Sequence, residues 1–175
     1  SDKEIRDLIC FAVEFVPSAF NSQTTRVVLL TGKAHEKLWN IVKNVLRKRV
    51  PAEVFGKTEE KIDGCFACGY VLFSILKIWL SFALCRKVSP LIKIISYLAE
   101  QTDAMHQLAV WTMLEDAGMG ASLQHYNPLI DDEVRKFGIC LMTGIDSADA
   151  FGVPVAQPGF KEVKSLDERV FEFTD

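Results

Sequence analysis

The stretch "FVPSAFNSQTTRVV", Phe15–Val28, crowds a proline, small hydroxyl side chains, an amide pair and an arginine against the start of an aliphatic run. Such chemistry suits ligand contact better than core: the amides of Asn21 and Gln23 both donate and accept hydrogen bonds, and Ser18 and Ser22 add hydroxyls. A second polar stretch, "SLQHYNP" at Ser122–Pro128, brings an amide, an imidazole and a phenol together. Each stretch lies at the end of an expected strand, where side chains and backbone donors can converge on one ligand. A third candidate is "CFAC", Cys65–Cys68, which has the spacing of a thiol pair or of half a zinc site. No second cysteine pair follows it, and His35, His106 and His125 lack ligand spacing, so it reads as two small apolar side chains entering a strand. The sequence carries no GxSxG, glycine-rich phosphate loop or HExxH, so hydrolase and nucleoside-triphosphate chemistries lack their minimum parts.

The elements that must position these residues follow from periodicity and punctuation. Ile5, Leu8, Ile9, Ala12 and Val13 recur at helical spacing after Ser1 or Asp2, which predicts a helix to Val16, stopped by Pro17. "RVVLLTG", Arg26–Gly32, reads as a buried strand, so the first polar stretch is a helix-to-strand loop. A surface helix is expected over Lys33–Val50, ended by Pro51, then a helical piece from Ala52 to about Ile62 and a strand at "YVLF", Tyr70–Phe73. Periodicity alone leaves Ser74–Ser89 open between strand and helix. A long helix over Pro90–Ala117 stops in "AGMGA", a short strand opens onto "QHYNP", and a short helix follows over Asp131–Phe137. Ile139–Met142 is a further strand candidate, and "FGVPVAQPG" reads as a loop.

At 175 residues, 49% hydrophobic and 25% charged, the chain has the profile of one folded domain. A net charge of -3, with Arg47, Lys48 and Arg49 as the one dense basic patch at a helix end, argues against nucleic acid. Five cysteines without even spacing suit a reducing compartment, and the charged start "SDKEIRDL" does not read as a signal peptide, which makes the cytoplasm the expected address. The apolar run Tyr70–Cys85 is short for a membrane span and carries Lys77 in its middle.

Three stretches, "PSAFNSQTTRVVLLTGKAHEKLWNIV", "AVWTMLEDAGMGASLQHYNPLIDDEV" and "FGVP" followed by "KEVKSLDERV", resemble the nitroreductase family of FMN-dependent oxidoreductases. The likeness is strongest to its compact subgroup of fatty-acid-repression and hydroperoxide-resistance nitroreductases. The resemblance implies an α+β fold with a central mixed or antiparallel sheet flanked by helices, in an intertwined homodimer whose FMN lies in the interface and touches both chains. It implies that Pro17, Ser18 and Asn21, with Ser22 and Gln23 beside them, meet the flavin ring or ribityl chain from the partner subunit. Gln124, His125 and Tyr126 match the segment passing the flavin N5 and O4, with His125 near the reacting edge. Arg26 and Lys61 are the candidates for a cation near N1 and O2, which favours the reduced flavin. Lys161 matches a phosphate-binding cation, with Lys164 as the alternative. No side chain is given a catalytic role of its own, and no metal is implied.

The same resemblance implies a single domain over 1–175, with the segment from about 152 to 175 extending onto the partner. The implied activity is reduction of nitroaromatics, quinones or related acceptors with electrons from NADH or NADPH, in ping-pong order; a flavin-binding stress or lipid-response protein with little turnover is the alternative. A thiol or zinc module on Cys65 and Cys68 is a further rival. Three departures stand beside the likeness. The family's arginine-rich phosphate cassette is not among these residues, Ser74–Ile95 does not follow the subgroup's pattern, and Val153 stands where a lysine is common.

Overall fold

Ser1 begins the first helix with a capping box. Its hydroxyl accepts from the Glu4 backbone N–H, while the Glu4 carboxylate reaches back to the Ser1 amine. In the computed structural model, which describes residues 1–76, 90–136, 145–167 and 169–173, this helix α1 spans Asp2–Phe15 and buries Ile5, Ile9 and Ala12. A single 3-10 turn at Ala19–Asn21 leads into β1, Thr25–Thr31. Helices α2, Gly32–Arg47, and α3, Ala52–Ala67, follow, and then β2, Tyr70–Leu76. The long helix α4, Pro90–Asp116, precedes β3, Gly120–Gln124; a short α5, Asp131–Lys136, and β4, Ile145–Gly152, come last.

Among the described residues the sheet has the order β1-β2-β4-β3 and every pairing is antiparallel, the second of the two expected arrangements. Because side chains alternate along a strand, β1, β2 and β4 feed two cores. On one face Leu38, Trp39, Val42 and Leu46 of α2 and Phe55, Ile62 and Cys65 of α3 meet Leu30, Val71, Ala148 and Ala150 of the sheet. On the other, Ile5 and Ile9 of α1 and Val110 and Leu114 of α4 meet Leu72 and Phe151. The result is a three-layer α+β sandwich.

Three expectations change. The helix after Pro51 runs past Ile62 to Ala67, because Ile62 and Cys65 share one buried face and draw the last turn onto the sheet. "CFAC" therefore ends a helix and does not enter a strand. The larger difference is β4: "IDSADAFG" has two aspartates and small residues, yet it is a central strand held between β2 and β3. Pairing on both edges overrides weak local propensity there, and Ala148 and Ala150 let helices approach the sheet closely. The expected strand at Ile139–Met142 and most of Ser74–Ser89 lie outside the described residues. Of the apolar run, Tyr70–Leu76 forms β2, and among the described residues no helix is long and apolar enough to cross a membrane.

Candidate functional site

Pro17 ends α1, and the chain then turns through a strained loop. Phe20, Asn21 and Gln23 hold positive φ angles of 56°, 52° and 47°. Non-glycine residues adopt this region at a cost of about 1 to 2 kcal/mol each, so the loop is held by its own bonds. The Ser18 Oγ accepts from the Gln23 backbone N–H at 3.0 Å, and the Gln23 side-chain amide donates to Asn21 Oδ1 at 3.0 Å. Arg26 Nη1 donates to the carbonyls of Gln23 at 2.7 Å and Thr25 at 2.8 Å, which folds the guanidinium back over the loop. Ser22 follows the turn, its N–H donating to the Ala19 carbonyl.

This loop forms one wall of a cleft of about 100 Å³, lined by Val13, Glu14 and Val16 of the α1 end, by Ser18, Asn21, Gln23, Thr25 and Arg26, and by His106 of α4. Four residues expected from the sequence, Ser18, Asn21, Gln23 and Arg26, thus come together, with Pro17 and Ser22 on the same loop. Thr25 and His106 were not expected. Thr25 sits on the β1 edge beside two other polar residues, a pattern that marks a strand start as readily as a site. His106 lies 80 positions further on in a helix, and only the packing of α4 against the loop brings it there.

The second stretch also folds on itself. Gln124 donates from its amide to Ser122 Oγ at 2.7 Å, and the Tyr126 hydroxyl donates to Gln124 Oε1 at 3.2 Å. His125 is exposed, whereas Tyr126 is half-buried edge-on to Trp39, their ring centroids 6.1 Å apart. Burial, and then the nearby Cys65 thiol, hold the Tyr126 phenol above its ordinary pKa. In the sheet register, β1 begins and β3 ends at the same end, on opposite edges. Three strand spacings, about 14 Å, separate those edges.

The remaining cations lie apart from the cleft. Lys61 is exposed on α3, which covers the face opposite α1 and α4, the face that Tyr126 joins. Lys161 and Lys164 are exposed on the extended segment after β4. Within the single chain the structure therefore assembles the first polar loop and the second separately, and it brings neither Lys61 nor Lys161 into the cleft. Burial, followed by the Cys68 thiol, pushes the Cys65 thiol up to about 11, and burial raises Cys68 as well. Neither is a ready thiolate, and no metal-holding cluster forms among the described residues.

A sequence profile of the nitroreductase family matches residues 1–157. The nitroreductase FRM2 of Saccharomyces cerevisiae is 28% identical over 155 residues, which cover 89% of this chain and 77% of that protein. Nitroreductase CinD from Lactococcus lactis, solved in complex with chloramphenicol, superposes with a TM-score of 0.85 at 30% identity, over 99% of this chain and 89% of that one. The CinD complex with 4-nitrophenol gives 0.83 at 31% identity, with the same coverage. Helix order, the antiparallel sheet and the two polar loops at one sheet end accompany a match that runs through nine-tenths of the sequence, and this chain belongs to the nitroreductase family.

Proposed function

We propose that the chain is an FMN-dependent oxidoreductase, a homodimer that takes electrons from NADH or NADPH and passes them to nitroaromatics, quinones or related acceptors. The observation that carries this is the arrangement of two self-bonded polar loops on opposite edges of one sheet, the first of them walling an open cleft. CinD, at 31% identity, is found with 4-nitrophenol, a nitroaromatic, which supports the acceptor class.

The residues fit a flavin. The Thr25 hydroxyl is buried without a hydrogen-bond partner on the cleft wall, and Asn21 and Gln23 offer amides beside it, which together complement a polyhydroxylated chain. FMN, when bound, supplies the two-electron hydride chemistry. Asn21, Gln23, Ser18 and Ser22 hold and orient it from one protomer, with Pro17 fixing the entry of the loop. Gln124, His125 and Tyr126 serve the ring edge from the other, where the exposed His125 imidazole can donate a hydrogen bond. Arg26 or Lys61 supplies positive charge, and Lys161, with Lys164 as the alternative, serves the phosphate. Donor and acceptor use one opening in turn, so initial-rate plots are expected to be parallel.

A homodimer is supported by the exposed apolar side chains. Phe11 and Phe15 on α1, Met105, Leu108 and Trp111 on α4, and Phe160, Phe171 and Phe173 on the last segment face solvent in the single protomer. The experiment is the absorption spectrum of purified protein, followed by identification of the flavin released on denaturation and assay of NADH and NADPH oxidation with 4-nitrophenol and a quinone. Yellow protein that releases FMN and oxidises either nicotinamide is expected. Colourless protein that takes up no added FMN would overturn the proposal, and bound flavin without turnover would favour the stress-protein alternative.

A further inference from the structure

His106 and Thr25 are the buried polar floor of the cleft, at 4% exposure each. His106 Nδ1 lies 2.8 Å from the Thr102 carbonyl oxygen one turn earlier in α4. A carbonyl only accepts, so Nδ1 carries the proton and, in the neutral ring, Nε2 is a bare acceptor. Thr25 points to the same side of β1 as Val27 and Leu29, toward α1 and α4, and its Oγ1 has no partner. Buried hydroxyls are nearly always satisfied, and one left open on a cleft wall marks where a ligand group belongs.

The rest of the lining decides what that group is. Glu14 stands in the same cleft, so a phosphate there would meet a carboxylate. The Arg26 guanidinium is already folded onto two backbone carbonyls. A volume of about 100 Å³ is below that of a whole small-molecule pocket and suits a narrow chain. An acceptor nitrogen and a hydroxyl on the floor, with two amides and a carboxylate above, complement a row of alcohol groups. We infer that His106 and Thr25 form a hydrogen-bonding floor for a hydroxylated chain, which, resting on the flavin reading above, is the ribityl chain of FMN. His106 Nε2 accepts from one ribityl hydroxyl, and Thr25 Oγ1 bonds another.

The test measures the affinity of wild type, Thr25→Val, His106→Leu and His106→Gln for FMN, riboflavin and lumiflavin, by flavin fluorescence, alongside thermal unfolding. Riboflavin keeps the hydroxyls and lacks the phosphate, and lumiflavin keeps only the ring. Thr25→Val and His106→Leu are expected to weaken FMN and riboflavin by about tenfold each and to leave lumiflavin unchanged. His106→Gln, which retains an acceptor oxygen, should recover part of that loss. Thr25→Val is isosteric and removes an unsatisfied buried hydroxyl, so its melting temperature should hold or rise while its affinity falls. Unchanged FMN affinity in both variants overturns the inference, as does an equal loss for all three flavins. A loss confined to FMN would place the phosphate here and overturn it too. Wild type that binds none of the three would overturn the function proposed above, and this inference with it.

Discussion

Asn21 joins the loop to the cleft, since its Oδ1 holds the Gln23 amide while the residue itself lines the cleft. Asn21→Ala removes both, and FMN retention on dialysis, followed by fluorescence, should weaken roughly ten- to hundredfold with the fold intact. His125→Ala, at an exposed position, should instead lower turnover or shift the flavin potential more than affinity. Wild-type affinity and rate in both variants would reduce the two loops to connections. Asp149 carries a different cost. It is buried in the central strand with Oδ1 unpartnered, and burial, followed by the charge of Asp103, raises its pKa to about 7. Its ordinary value is 3.8. Below that pH both folded and unfolded chains hold the proton and nothing is lost. Between about 4 and 7 the unfolded chain releases the proton and the folded one resists, so stability falls as pH rises. The full penalty, about 4 kcal/mol, stands above pH 7. Asp149→Asn should therefore gain stability over wild type at pH 8 and little at pH 4, in urea titrations at the two pH values. An equal difference at both would refute the assignment.

At the scale of elements, the joint between α3 and the sheet rests on a close backbone approach. A Cβ on Gly152, the last residue of β4, would lie 2.1 Å from the Cys68 carbonyl oxygen just beyond α3, and backbone atoms on both sides cannot yield cheaply. Gly152→Ala should cost about 3 kcal/mol or more, read as a lower urea midpoint at unchanged slope. A variant as stable as wild type would mean that the end of β4 is free to move. The ion pairs linking α2 to α3, Lys43 with Asp63 and Glu59, and Arg47 with Glu59 at 2.8 Å, decorate this joint at the surface. Exposed pairs contribute little, so the helices are held by Trp39, Phe55 and Ile62 beneath them.

For the whole molecule, the question is what covers α4. Leu108 is 68% exposed in the single chain and lies on the helix that also carries His106. A charge there is harmless in a monomer, but buried without a partner in an obligate interface it is costly. If the proposed dimer covers α4, Leu108→Glu should keep its secondary structure, sediment as a monomer and lose the proposed FMN with the interface, measured by sedimentation at micromolar concentration and by flavin content. The wild-type interface is expected to exceed about 2,000 Å² in total. A wild-type monomer with full flavin content would sink the two-protomer site.

What the sequence determined by itself are the features written in local chemistry. Pro17 and Pro51 stop helices, Ser1 starts one, the aliphatic run after Arg26 forms β1, and amides and hydroxyls gather in the loops between. These depend on neighbours within a few positions, and they suffice to place Ser18, Asn21 and Gln23 on one loop and Arg26 at the start of the strand that follows it. Only the tertiary structure decided the rest. It seats "IDSADAFG" at the centre of the sheet, because two partner strands supply the hydrogen bonds that its own composition does not favour. It buries Asp149 in that strand, and it makes "CFAC" a helix end. It also sets His106 beneath a loop some eighty residues earlier, since which face of a long helix meets which loop is fixed by packing against Ile9, Leu72 and Phe151 and not by any local signal.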